Sequence, residues 1–166
     1  MFVRAKTVKG KKYAYLVENS WKKGKVKQLV KRYLGRIIEL DTPEKEGSQV
    51  IDFSLPQKKV MQQIIANEFL LRGFVQARGE VYVKGNVSVN LTKGLFSQEG
   101  KEVVFLLNDR YLYGRLVRDL LDFFAPESEE ERKGQKLAQA LSDAGISVAQ
   151  EDFISLYKKI YLPNQD

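Results

Sequence analysis

Two lysine–glycine pairs near the start of the chain, Lys9-Gly10 and Lys23-Gly24, constrain the fold more than any other feature. The first ends a run, Phe2–Val8, that is rich in β-branched and aromatic residues, and the second closes a polar turn, Asn19–Gly24. Between them lies Tyr13–Glu18, and after them an extended run from Lys25 to Ile38. Glycine enters positive φ without steric cost, so such pairs mark tight turns between neighbouring strands. Short strands joined in this way predict an antiparallel β-meander. Period-two alternation sets its faces. Tyr13, Tyr15 and Val17 share one side of the second strand, and Ala14, Leu16 and Glu18 the other. Along the third, Lys25, Lys27, Lys31 and Tyr33 are expected on one face, with Leu29 as the exception, and Val26, Val30 and Leu34 on the other.

Charge singles out the same segment. Residues 1–36 hold 12 Lys and Arg against one acid, Glu18. Residues 37–166 hold 16 basic and 20 acidic side chains, so a segment of net charge +11 sits on a body of −4. Lysine and arginine that neutralise phosphates release condensed counterions, which makes a polyanion the natural partner of such a segment. Its aromatic residues, Tyr13, Tyr15, Trp21 and Tyr33, suit stacking on a base or wedging a groove. The residues expected to bind nucleic acid are Arg4, Lys6, Lys11, Lys12, Tyr13, Tyr15, Trp21, Lys22, Lys23, Lys25, Lys27, Lys31, Arg32, Tyr33 and Arg36.

Beyond the meander, residues 41–48 read as a polar linker between a basic meander at 1–40 and a body at 49–166, either as two units or packed as one. The body carries the pattern of an α+β unit. Ser54 and Gln57 have the spacing of a capping box, with Pro56 in the first turn, and Val60, Met61, Ile64, Ile65 and Phe69 follow at helical spacing up to Gly73. Glu80–Val83, Asn86–Thr92 and Glu102–Leu107 read as strands, the last two paired across Glu99-Gly100. Asn108 reads as the cap of a second helix through Leu112, Leu116, Leu120, Phe123 and Phe124, stopped at Ala125-Pro126. Capping boxes at Ser128/Glu131 and Ser147/Gln150 open two more helices, near residues 129–144 and 148–161, around Gly145-Ile146. The fold class is thus an N-terminal antiparallel meander followed by a few strands and about four helices.

Composition removes whole classes of chemistry. The chain has no cysteine and no histidine, which excludes disulfides, thiolate nucleophiles, cysteine metal sites and Ser-His or Cys-His hydrolysis. The acids fall in the linker, at helix starts or at exposed positions such as Asp119 and Asp122, where the helix macrodipole accounts for those at helix starts. The glycines fit neither phosphate-loop nor dinucleotide spacing. No catalytic residue, metal site or cofactor is therefore expected, and a metal-dependent nuclease ranks last. The tight turn at Gly145 invites a helix-turn-helix reading, but Glu151 and Asp152 stand where phosphate would lie, so a structural helical hairpin is expected instead. Arg4, Lys6, Lys9, Lys11 and Lys12 interrupt any signal-peptide run, and no apolar stretch is long enough for a membrane helix, so a cytoplasmic protein without membrane contact is expected.

One set of residues also resembles a known family. Tyr13–Asn19, then Lys25-Val26-Lys27-Gln28 and Tyr33-Leu34-Gly35, are similar to the N-terminal segment of insertion-sequence transposases of the DDE type, over about residues 1–37. In that family the segment precedes a ribonuclease-H-like catalytic domain with three metal-binding carboxylates, which the remaining residues here do not match. The resemblance implies transposon-end DNA binding by Lys25, Lys27, Lys31 and Arg32, without the nuclease. The expected function is therefore a non-catalytic, DNA-binding protein of transposase-like ancestry, with self-association as a further role for the body. RNA binding, and docking of an acidic protein partner, are the alternatives.

Overall fold

The computed structural model describes residues 1–43, 49–123 and 132–162. The chain builds one nine-stranded sheet, in the spatial order β1 (Phe2–Val8), β2 (Lys11–Lys22), β3 (Lys25–Glu39), β8 (Lys101–Leu107), β7 (Leu95–Gln98), β6 (Val87–Asn90), β5 (Val81–Lys84), β4 (Val75–Arg78). β9 (Arg110–Leu112) pairs with β8. Four helices, α1 (Gln57–Leu70), α2 (Gly114–Leu121), α3 (Lys133–Asp143) and α4 (Gln150–Tyr161), complete the described residues. The α+β class with an N-terminal meander is as expected.

Two-residue turns set most of this topology. Lys9-Gly10, Lys23-Gly24, Glu99-Gly100 and Asn108-Asp109 each have positive φ at both positions. That is the type I′ geometry, whose twist matches that of the strands it joins. The meander is not a separate layer. β3 runs on past β2 and pairs in parallel with β8, Arg36 opposite Val103 through Glu39 opposite Leu106. The junction needs a glycine: Gly35 has a φ of +119°, and a Cβ there would collide with the Glu102 carbonyl.

The main core lies on one side of the sheet. Phe69 of α1 makes edge contacts with Phe74, Phe96 and Phe105, and Val60, Met61, Ile64 and Ile65 bury the same helix face. Leu120 and Leu121 of α2, Leu137 and Leu141 of α3 and Leu156 of α4 close over it. A smaller cluster, Ala14, Leu16, Leu34, Ile37 and Val104, forms on the opposite side, with Tyr111 and Tyr113 packed against it. Within the main body, Glu68 and Arg72 are buried together one helical turn apart. Arg72 Nη2 donates to Asn108 Oδ1 at 3.0 Å, Asn108 Nδ2 donates to the Gly145 carbonyl at 2.8 Å, and the Ser147 amide donates to Glu68 Oε1 at 2.5 Å. This network ties α1 to the β8–β9 turn and the α3–α4 turn.

Several expectations are corrected. Asn108 does not cap a helix: it takes a φ of +47° in the β8–β9 turn, Leu112 belongs to β9, and α2 begins at Gly114. β6 and β8 are not neighbours, because β7 lies between them. Neither Ser54 nor Ser147 caps its helix. Ser54 Oγ donates to Asp52 Oδ1 at 2.6 Å, and α1 and α4 start without side-chain caps. The hairpin of α3 and α4 does pack on the core, with Leu156 buried more fully than Phe153, Tyr157 or Ile160. The stop at Ala125-Pro126, Phe124, the Ser128/Glu131 box and most of the linker lie outside the described residues.

Candidate nucleic-acid interface

The register of the meander assigns most of its basic residues to a side. Side chains directly opposite one another in an antiparallel ladder point to the same face. Across β1, β2 and β3 the first face carries the rows Lys6–Tyr13–Arg36, Arg4–Tyr15–Tyr33 and Phe2–Val17–Val30. Lys11, Gln28, and the pair Trp21–Val26 lie on it too. The second face carries Lys12, Lys22, Lys25, Lys27, Leu29 and Arg32 around the apolar residues Ala14 and Leu16. Lys23 sits in the turn that joins β2 to β3.

This overturns the expected alternation along β3. The pairing skips Leu34 between Tyr33 and Gly35, and Lys31 between Val30 and Arg32. Each skip is a β-bulge that places two successive residues against one partner. Together they put Tyr33 on the face opposite Lys25 and Lys27, put Leu34 with Leu16, and leave Val26 and Val30 beside the tyrosines.

β1 begins at Phe2, which lies opposite Val17, while β2 and β3 remain paired out to Lys22 and Lys25. Residues 18–22 and 25–29 therefore form a two-stranded ribbon flanked by no other described strand. Five residues per strand at 3.3–3.4 Å each make it roughly 17 Å long. Residues Lys25 to Tyr33 of β3 are all exposed, and Trp21 near the tip is 74% exposed. Lys22, Lys23, Lys25 and Lys27 crowd its end, and Glu18 is its one acid.

The two faces differ in electrostatics. Glu18 pairs with Lys31 at 2.7 Å, and Glu102 of β8 with Arg32 at 3.6 Å, both on the lysine-rich side. The hydrogen bond and charge of Lys31 hold the Glu18 carboxyl below its usual range. Exposed pairs of this kind are weak and screened by salt, so they do not withhold Lys31 and Arg32 from a stronger anion. No acid of β1, β2 or β3 lies on the tyrosine face. Arg4 Nη1 donates to Gln28 Oε1 at 2.5 Å, a partner that the sequence pattern did not single out. Tyr33 lies 5.4 Å from Tyr15 and 6.3 Å from Tyr13, ring centre to ring centre. Partial burial and the two neighbouring phenols push its own phenol up. Tyr13, Tyr15 and Tyr33 belong to neither apolar cluster, and Tyr33 is 52% exposed.

The body offers no rival centre of comparable character. Among the described residues no group of three or more acids is arranged to hold a metal ion. Asp119 faces Arg115 and Asp122 pairs with Lys58. A cleft beside the α3–α4 turn is lined by Asn108 and Ser147, but both are engaged with the Glu68 network. No helix among the described residues is long and apolar enough to cross a membrane. No protein-family model, curated protein or solved structure matches the chain.

Proposed function

We propose that this protein binds duplex DNA through the lysine-tipped ribbon, without catalysis, and that it descends from a transposase-like DNA-binding segment. The observation that carries the reading is the ribbon itself, two strands solvated on both sides with Lys22, Lys23, Lys25 and Lys27 at one end. A two-stranded ribbon fits the major groove, which is roughly 12 Å wide and 8.5 Å deep. Lysines at its tip and on its second face reach phosphates, and Lys31 and Arg32 extend the contact towards the body. A solitary hairpin is marginal in water, so a protein that projects one from a sheet keeps it by anchoring both strands. Here β2 is anchored by β1 and β3 by β8. We place its activity in the cytoplasm, the compartment expected from the sequence.

Binding should fall steeply with salt. If about half of the meander's basic groups touch phosphate, the log–log slope of affinity against salt is roughly −5 or steeper. A gel-shift or anisotropy series with mixed-sequence duplex DNA measures it directly. No binding at low salt, or a slope near zero, would remove the proposal.

A further inference from the structure

A ribbon that sets its tip and lysine side against duplex phosphates turns the tyrosines at its base, Tyr13, Tyr15 and Tyr33, away from that duplex. The ring faces of stacked bases are hidden inside a duplex, so exposed tyrosines gain little from it. They gain from bases that are unpaired. Tyr13, Tyr15 and Tyr33 form one aromatic patch, with Lys6 and Arg4 on the β1 side and Arg36 on the β3 side. The two outer strands lie about 9.5 Å apart, at 4.7–4.9 Å per strand spacing. Cations thus border the patch on two sides, and no acid of the three strands shares that face.

We propose that the tyrosine face binds an unpaired nucleic-acid strand, with one base stacked on Tyr33 and the adjoining phosphates held by Arg4 and Arg36. Gln28 steadies Arg4 for this role through their hydrogen bond. The inference rests on the duplex-binding reading and sharpens it: a protein with both faces occupied sits where a duplex meets a single strand.

The test uses the full chain, a short fluorescein-labelled oligodeoxynucleotide of mixed sequence, the RNA of the same sequence, and the corresponding DNA duplex. Wild-type protein is expected to bind at least one single strand, and the tighter of DNA and RNA identifies the source. Tyr33→Ala should weaken single-strand binding by roughly 5- to 100-fold, the range that stacking of one base supports. Tyr33→Phe, which keeps the ring, should stay within about twofold of wild type, and duplex affinity should change in neither variant. Arg4→Gln should lower the single-strand salt slope by about one. Single-strand binding by Tyr33→Ala that equals wild type would overturn the inference, as would an equal loss in Tyr33→Phe. Wild-type binding to duplex but to neither single strand overturns this inference alone. Binding to no nucleic acid at all removes the duplex proposal with it.

Discussion

Replacing Lys22, Lys23, Lys25 and Lys27 together by Glu is expected to lower duplex affinity by at least about 100-fold at low salt. It should also flatten the salt slope by about four, one for each phosphate that is no longer neutralised. The expectation follows from where these lysines sit. None of them packs on the core, and beyond Val17 the ribbon is paired with no other described strand. Their replacement should therefore leave the unfolding midpoint close to wild type, since surface changes away from packed features usually fall within about 0.5 kcal/mol. Anisotropy titrations at several salt concentrations, with thermal unfolding as the control, measure both quantities. An unchanged affinity in a folded quadruple variant would move the contact elsewhere on the protein. The reverse pattern, reduced stability with retained binding, would mean that the tip is a structural device.

The largest stability effect is expected from Glu68→Ala. The Glu68 carboxylate accepts from Arg72 and from the Ser147 amide, and both charged side chains are nearly inaccessible. Removing one partner leaves a buried guanidinium uncompensated, which costs roughly 3–5 kcal/mol. The Ser147 amide also loses its acceptor, so the α3–α4 turn should loosen with the helix. For a chain of this size that destabilisation lowers the unfolding temperature by about 10 °C or more. The double variant Glu68→Leu with Arg72→Leu removes the unpaired charge, and it should recover part of the stability. Full recovery is not expected, because Asn108 and Ser147 would still lack their partners. Urea unfolding of the three proteins checks the order. If Glu68→Ala costs less than about 1 kcal/mol, the network is not holding the two turns.

What could be read directly from the chain was local. Lys9-Gly10 and Lys23-Gly24 mark turns because positive φ is a property of one residue and its neighbour, and the structure places a tight turn at each. The helix from Gln57 and its stop at Gly73 were legible for the same reason, as apolar spacing ending in a glycine at φ +82°. Asn108 misled because the same short polar side chain favours both a helix cap and a left-handed turn. Only the pairing of Leu107 with Arg110 decides between them.

The site was legible as a composition and not as a surface. All the basic and aromatic residues named from the sequence lie on the meander or in its turns. Their division between faces was not accessible, because the bulges at Lys31 and Leu34 exist only in relation to β2. A single strand's alternation cannot record an extra residue that its partner fails to match. Glu68 and Arg72 look like an ordinary surface pair at helical spacing. Their burial depends on the β8–β9 turn and the α3–α4 turn, 36 and 79 residues away, closing over them.

The contact between the ribbon and DNA has a built-in reporter. Trp21 is the chain's one tryptophan, and it stands exposed beside the four tip lysines. Titrating the unmodified protein with duplex DNA at low salt should change Trp21 emission over the same concentration range as the anisotropy of the labelled duplex. Added salt should reverse both signals together. DNA binding that leaves Trp21 emission untouched, or no binding at low salt, would contradict the account.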